Sequence, residues 1–162
     1  MFLGHFGLAL AAKSVAPQTS FGTALLATEF ADCLWPLFLT LGAEQVRIVP
    51  GITRMTPLDF VSYPWSHSLL MDCVWAAGFA VIYFAARRYR TGAWVLAAGV
   101  VSHWVLDWLS HRPDMPISPW SQQKYGLGLW NSVAGTVVVE LGLFFGGLII
   151  YLVSTRARDR VG

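Results

Sequence analysis

The chain has 162 residues, of which 56% are hydrophobic and only 12% are charged. A soluble domain usually carries about 25% charged residues, so too few polar side chains are present here to cover a water-exposed globule or to keep a chain disordered. The 2 cysteines are too few for a disulfide scaffold, and the net charge of +2 does not favour a nucleic-acid partner. We therefore expect one all-α integral membrane domain that covers residues 1–162.

Apolar runs follow one another at about residues 2–12, 19–42, 66–86, 92–110 and 131–153. A helix rises about 1.5 Å per residue, so crossing a bilayer core of about 30 Å takes roughly 20 residues. The last four runs are therefore predicted to be transmembrane helices, the first of these bent at Pro36. The run at 2–12 is too short to cross alone and has no basic residue before its apolar core, unlike a signal peptide. It is predicted to be a short helix packed in or against the bundle.

Two longer polar connections, at about residues 43–65 and 111–130, contain most of the prolines and are expected to be loops. Basic residues cluster at the ends of the predicted spans that lie away from these two connections. They are Lys13, Arg87, Arg88, Arg90, Arg156, Arg158 and Arg160. The positive-inside rule places those ends and the C-terminus in the cytoplasm and both long connections on the outer side.

Ionisable side chains nevertheless lie in or at the edges of the apolar runs. They are His5, Glu29, Asp32, His67, Asp72, His103, Asp107 and Glu140. A single such group at mid-bilayer costs on the order of 2.5–3.5 kcal/mol. No Lys or Arg lies inside a predicted span, so carboxylate–imidazole hydrogen bonds, water or a metal cation must compensate these groups.

Spacing brings part of this set together. His103 and Asp107 are four residues apart on one helical face, and His111 continues the row at the helix end. Residues from three other segments are predicted at the same depth, near the outer boundary: His5, Asp32 and His67. Imidazole nitrogen and carboxylate oxygen bind Zn²⁺, and mixed sets also bind Mn²⁺ or Fe²⁺.

We expect one metal ion with the ligands Asp32, His67, His103 and Asp107. Zn²⁺ is expected in preference to Mn²⁺ or Fe²⁺. A second ion is expected at His5, with Asp107 shared and His111 as a further candidate ligand. Alternative interpretations stay open, because a lone His103 is typical of a hydrogen-bonded interior histidine and His111 of a helix C-terminus.

Three deeper acids are interpreted differently from the ligands. Glu29 precedes Asp32 by three residues and shares its helical face, so it is a candidate proton acceptor. Asp72 lies about 140° around the helix from His67, which argues against a ligand role. Glu140 is expected to find a partner within the bundle.

Four segments carry a resemblance to a known family: MFLGH at residues 1–5, ADCLWP at 31–36, YPWSHSL at 63–69 and SHWVLD at 102–107. In order and spacing they resemble the YdjM-like family of bacterial inner-membrane, metal-dependent hydrolases, and the similarity covers essentially the whole chain. The resemblance implies a multi-pass protein of the bacterial inner membrane. With the predicted topology, its site faces the periplasm.

A fainter likeness extends to the zinc-dependent phospholipase C and S1/P1 nuclease group, which are helical phosphoesterases with clustered zinc ions. The resemblance implies that their metal-binding positions correspond to His5, Asp32, His67, His103 and Asp107. The chain departs from that pattern downstream, because no later His-x3-Glu pair occurs. One or two ions are therefore expected rather than three.

These inferences predict a membrane-bound, metal-dependent hydrolase that acts on a phospholipid or another membrane-associated phosphoester, with Asp107 or Glu29 as the proton acceptor. The alternative is a protein that transports or senses a divalent cation without hydrolysis. Transporter sites usually lie near the bilayer midplane between repeats, whereas these ligands are predicted off-centre and no internal repeat occurs. A third interpretation is an interaction protein whose polar cluster only specifies helix packing.

Overall fold

The computed structural model describes residues 1–156, so the predicted cytoplasmic Arg158 and Arg160 lie outside the described residues. The helices are α1 (Leu3–Val15), α2 (Phe21–Thr28), α3 (Phe30–Thr40), α4 (Pro64–His67), α5 (Leu69–Arg87), α6 (Arg90–Ser110) and α7 (Val133–Ser154). The strands are β1 (Gln45–Ile48), β2 (Leu58–Ser62), β3 (Met115–Pro116) and β4 (Lys124–Tyr125). A 3₁₀ turn at Leu129–Asn131 leads into α7.

Helices α5, α6 and α7 are each long and apolar enough to cross a membrane. They correspond to the last three predicted spans, so a mostly helical membrane fold is supported. The predicted span at 19–42 is not one helix, because Glu29 takes φ −100° and ψ 10° and separates α2 from α3. The expected bend was placed at Pro36, which instead lies inside α3. Four continuous spans are therefore not found among the described residues.

The predicted short N-terminal helix is present as α1 and packs against α7. Both helices carry a glycine at the crossing point, which lets their backbones approach closely. A Cβ on Gly147 would overlap the carbonyl oxygen of Gly7, and a Cβ on Gly7 would overlap the carbonyl oxygen of Leu143. Side chains larger than hydrogen are thus excluded from this crossing.

The two long connections contain short antiparallel strands that the sequence analysis did not predict. In the first, β1 pairs with β2; in the second, β3 pairs with β4. Phe60 of β2 is buried in a small apolar cluster with Tyr63, Trp104 and Met115. Because Trp104 belongs to α6, this cluster fixes both connections over the end of the bundle at which α6 stops.

The larger core lies between α2, α5 and α6, around Ala27, Ala76, Leu96 and Val100. Its side chains are small, so the helices pack closely below the covered end. The beginnings of α1, α3 and α5 and the last turns of α6 all meet at that end. This arrangement positions the candidate site.

Candidate metal centre

The side chains that the sequence analysis placed at one depth lie together in the structure. Their positions follow from element ends: His5 is in the first turn of α1, and His67 ends α4 directly before the Ser68 cap of α5. His103 and Asp107 occupy successive turns of α6. We refer to His5, Asp32, His67, His103 and Asp107 as the candidate metal centre.

One half of the centre is formed by His5, His103 and Asp107. The Nε2 atom of His5 lies 3.2 Å from Asp107 Oδ1, and that of His103 lies 3.4 Å from Asp107 Oδ2. The two imidazole rings stack with centroids 4.0 Å apart. One ligand atom from each of the three residues lies within 4.8 Å of the other two, so the group could hold a metal ion.

The other half is formed by Asp32, His67 and His103. Asp32 Oδ1 lies 3.2 Å from His67 Nε2 and 3.6 Å from His103 Nε2. These three residues also place one ligand atom each within 4.8 Å of the others. His103 belongs to both halves, and His67 Nε2 is 3.8 Å from Asp107 Oδ2, so the two groups are continuous.

The centre is buried except on one side. His5 and His103 have no accessible surface, and His67 and Asp107 are each 3% exposed. Asp32 is the exception, with 41% of its side chain accessible. The α-amino group of Met1 also lies against Asp107 Oδ1. Asp107 is therefore the common neighbour of the imidazole and amine groups, and Asp32 faces the opening.

Hydrogen bonds on the far side of His103 determine which of its nitrogens carries the proton. His103 Nδ1 lies 2.7 Å from the backbone oxygen of Thr28, which can only accept a hydrogen bond. In the neutral ring, Nε2 then carries a lone pair and can only accept a hydrogen bond. It nevertheless points between the carboxylates of Asp32 and Asp107 and has no hydrogen-bond partner among the described residues. Acceptors that face one another require a shared proton or cation.

His67 has the same arrangement through a side chain. Its Nδ1 lies 2.7 Å from Ser66 Oγ, whose hydroxyl donates a 2.7 Å hydrogen bond to Glu44 Oε2. Since the serine proton is used for Glu44, Ser66 accepts the proton of His67 Nδ1, and Nε2 again faces Asp32. Imidazole ligands of metals are commonly oriented in this way by a partner on the other nitrogen.

The sequence-predicted His111 lies beside the centre, at the C-terminal end of α6. Its Nδ1 is 3.0 Å from Asp114 Oδ1, and its Nε2 is 3.6 Å from Asp107 Oδ2. The ring also packs on Trp130, with centroids 4.2 Å apart. The Nε2 atom of His111 thus points towards Asp107, as the Nε2 atoms of the other histidines do. His111 does not belong to either group of three.

A second layer of polar residues supports His111. Tyr63 donates a 2.7 Å hydrogen bond to Asp114 Oδ1, and burial together with that carboxylate raises the pKa of the Tyr63 hydroxyl well above its usual value. The hydroxyl therefore remains a donor. Arg112 forms an ion pair with Asp59 of β2, and its Nε lies 3.1 Å from Asp114 Oδ2. These contacts fix the connection that follows α6.

The three deeper acids are separate from both groups of three. Glu29 Oε1 is buried and has no hydrogen bond, and neither carboxylate oxygen of Asp72 has one among the described residues. Glu140 of α7 accepts 2.8 Å hydrogen bonds from the backbone N–H groups of Phe2 and Gly4. The expected partner of Glu140 is thus the beginning of α1, which carries His5.

A cavity of about 230 Å³ adjoins the centre. Asp32, His67 and Asp107 contribute its polar wall, while Trp35 and Phe60 belong to its apolar wall. A ligand with one polar and one apolar part matches this lining.

Sequence reasoning did not identify the residues that orient the imidazoles. Glu44 is separated from Ser66 by a β-hairpin, and Thr28 acts through its backbone oxygen, so neither carries a local signal. Asp114 follows His111 by three residues, a spacing that could have indicated the contact.

Comparison with known proteins gives one family. The family model described as YdjM inner membrane protein matches residues 2–160. Searches of curated proteins and of solved structures return no significant match.

Proposed function

The chain belongs to the YdjM family of inner membrane proteins, and we propose that it is a membrane-bound, metal-dependent hydrolase. Its proposed substrate is a phospholipid or another membrane-associated phosphoester. The observation that carries the proposal is the buried lone pair of His103 Nε2, which faces two carboxylates from different helices without a hydrogen-bond partner among the described residues. A divalent cation satisfies all three groups at once.

The donor set fits Zn²⁺, with Mn²⁺ and Fe²⁺ as alternatives. Asp32, His67, His103 and Asp107 would hold the first ion. His5 would hold a second ion, with Asp107 shared, and His111 is its further candidate ligand. Bound there, a divalent cation supplies Lewis-acid chemistry for an ester.

The remaining chemistry is assigned to the protein's own side chains. A nucleophile that attacks phosphorus must lose a proton, and Glu29 or Asp107 is the proposed acceptor. Oε1 of Glu29, which has no hydrogen-bond partner among the described residues, supports the first choice. The short distances from Asp107 to the imidazoles support mainly a ligand role.

The position of the centre supports a membrane substrate. It lies where α6 ends and α5 begins, at the end of two candidate spans rather than at their middle. The distribution of arginines favours the periplasmic side for this end. A phosphoester at headgroup depth would reach Asp32 while its apolar part contacts Trp35 and Phe60.

The proposal is tested on protein purified in a non-ionic detergent. Metal content is measured by elemental mass spectrometry, and hydrolysis is followed with phosphatidylglycerol, phosphatidic acid and bis-p-nitrophenyl phosphate. We expect the wild type to retain metal and to hydrolyse at least one ester, and His103→Ala and Asp107→Asn to lose both properties. Asp72→Asn is the matched control, because it removes a buried carboxylate outside the centre.

Two outcomes contradict the proposal. Metal retention without hydrolysis of any ester favours the alternative, a protein that transports or senses a divalent cation. A folded wild type that binds no divalent metal leaves the polar cluster with a packing role alone.

A further inference from the structure

A second cavity lies at the end of the bundle opposite the candidate metal centre. Its volume is about 760 Å³. It is bounded by the last turn of α1, the beginning of α2 and the ends of α5 and α7. None of the residues of the centre lines it, so a ligand bound in this cavity is independent of the proposed hydrolase activity.

The charged side chains that are described in the lining of this cavity are all basic. Lys13, Arg87 and Arg156 line it, and no Asp or Glu belongs to the lining that the structure describes. The ion pairs found within residues 1–156 all involve carboxylates of the other end, such as Asp107 and Asp114. Among residues 1–156, three cations thus share one concavity without a carboxylate that lines it to offset their repulsion.

Hydroxyl groups add polar contacts to the cavity. Ser20, Thr23 and Tyr83 line it, whereas the hydroxyl of Thr155, also in the lining, donates to the backbone oxygen of Tyr151. Lys13 is held in place by hydrogen bonds of 2.7 Å and 2.6 Å from its Nζ to the backbone oxygens of Pro17 and Thr19. An ammonium group has three N–H donors, so one remains for a ligand.

The positive-inside rule alone does not explain this grouping. Arg88 and Arg90 lie at the same end of the bundle, yet they line a different groove between α5 and α6 whose other residues are mainly apolar. The cavity at Lys13 differs from that groove because it combines its cations with hydroxyl donors.

We propose that this cavity binds a phosphate-bearing anion, either the headgroup of an anionic phospholipid or a free phosphate. Arginine forks pair with phosphate oxygens in a bidentate manner, and lysine adds a compact charge. Basic pockets between membrane helices bind anionic headgroups by the same chemistry. The anion offsets the repulsion among Lys13, Arg87 and Arg156.

Two binding measurements on the full-length protein distinguish the sources. Equilibrium dialysis with radiolabelled inorganic phosphate, in dodecyl maltoside, reports the free anion. Native mass spectrometry after release from phosphatidylcholine nanodiscs containing phosphatidylglycerol counts retained anionic lipid. Binding in the first assay alone identifies a soluble phosphate, and retention in the second alone identifies a headgroup.

The test variants are Arg87→Gln and Arg156→Gln, whose side chains form no hydrogen bond within the described part of the chain. Each is expected to weaken binding at least about tenfold, since a charge-assisted hydrogen bond to the anion is lost. Arg87→Lys keeps the charge but not the bidentate fork, so it should bind more strongly than Arg87→Gln and more weakly than the wild type. Arg90→Gln removes the same charge at the same end outside the cavity, so it should change binding less than about twofold.

The proposal is overturned if the wild type retains neither phosphate nor phosphatidylglycerol above phosphatidylcholine. It is also overturned if Arg90→Gln weakens binding as much as Arg87→Gln, because the effect would then be one of general surface charge. Melting temperatures of all variants, measured in the same detergent, verify that each is folded.

Discussion

Three imidazoles at the centre and beside it are oriented by the partner of their other nitrogen. His103 is held by a backbone oxygen, His67 by Ser66 and His111 by Asp114. In all three the Nε2 atom is directed at a carboxylate. Because these contacts come from the fold itself, part of the entropy of ordering the rings is lost on folding rather than on binding.

Removing one orienting hydroxyl should therefore weaken metal binding. Ser66→Ala deletes the acceptor of His67 Nδ1 and is expected to lower the affinity for Zn²⁺ about 10–100-fold. Ser102→Ala is the matched control, because Ser102 also precedes a histidine of the centre but donates its hydroxyl to the Gly99 oxygen. Competition with a chromophoric chelator measures both affinities. Equal losses in the two variants would contradict the assigned role of Ser66.

Helical spacing was sufficient to place His103 and Asp107 together, because residues four apart always share a face. Predicting Asp32 and His67 at the same depth required only the directions in which their segments run across the membrane. Glu44 was out of reach, since its contact with Ser66 depends on the β1–β2 hairpin, which brings residues 22 positions apart into hydrogen-bond distance. A backbone acceptor such as Thr28 has no side-chain signature at all.

At the scale of elements, α1 is fixed to α7 by two independent contacts, a glycine crossing and a set of hydrogen bonds. Gly7 and Gly147 allow the backbones to touch, and Glu140 accepts the N–H groups that the first turn of any helix leaves free. His5 owes its position to both. The centre thus depends on a contact between helices that contribute only one of its side chains.

Glycine substitutions test the crossing. Gly147→Ala introduces a Cβ that would overlap the Gly7 oxygen, so α1 must move, at an expected cost of about 1–3 kcal/mol. Gly146→Ala is the control, because a Cβ there meets no atom within 4 Å. Thermal unfolding in detergent measures the difference. A melting temperature of Gly147→Ala equal to that of Gly146→Ala would show that the helices do not cross in this way.

Glu140→Gln tests the hydrogen bonds between Glu140 and the beginning of α1. Its amide group offers one acceptor and one donor where two backbone N–H groups need acceptors, so Phe2 or Gly4 loses its partner. The unsatisfied group should reduce stability by about 1–3 kcal/mol. The binding of a second Zn²⁺, which requires His5, should weaken as well, and isothermal titration would detect it. Unchanged stability would mean that water replaces the lost acceptor.

Element lengths were predictable where composition alone decides them, as in α5, α6 and α7. The break at Glu29 was not, because proline is the stronger local signal and Pro36 lies only seven residues later. The β1–β2 hairpin was hidden by the prolines and glycine of its own turn. Its strands are short, and Phe60 marks the buried face only once the partner cluster is known.

In the whole molecule, the centre joins α1, α3, α4 and α6, which are distant in sequence. A cation bound there adds links between these four elements. Ligand binding to the folded state alone stabilises it in proportion to the logarithm of ligand concentration, by about 2.7 kcal/mol at one hundred times Kd. Metal should therefore raise the temperature of unfolding.

We expect Zn²⁺ to raise the melting temperature of metal-stripped protein in detergent, and Asp32→Asn and Asp107→Asn to reduce that increase strongly. Asp72→Asn should keep the full increase, because Asp72 is buried at the beginning of α5 but belongs to neither ligand group. It should also stabilise the metal-free protein, since both of its carboxylate oxygens lack partners within the described chain and a neutral amide costs less to bury. Differential scanning fluorimetry with and without chelator separates the two effects. An equal response of all three variants to Zn²⁺ would locate metal binding outside the centre and remove the physical basis of the proposed activity.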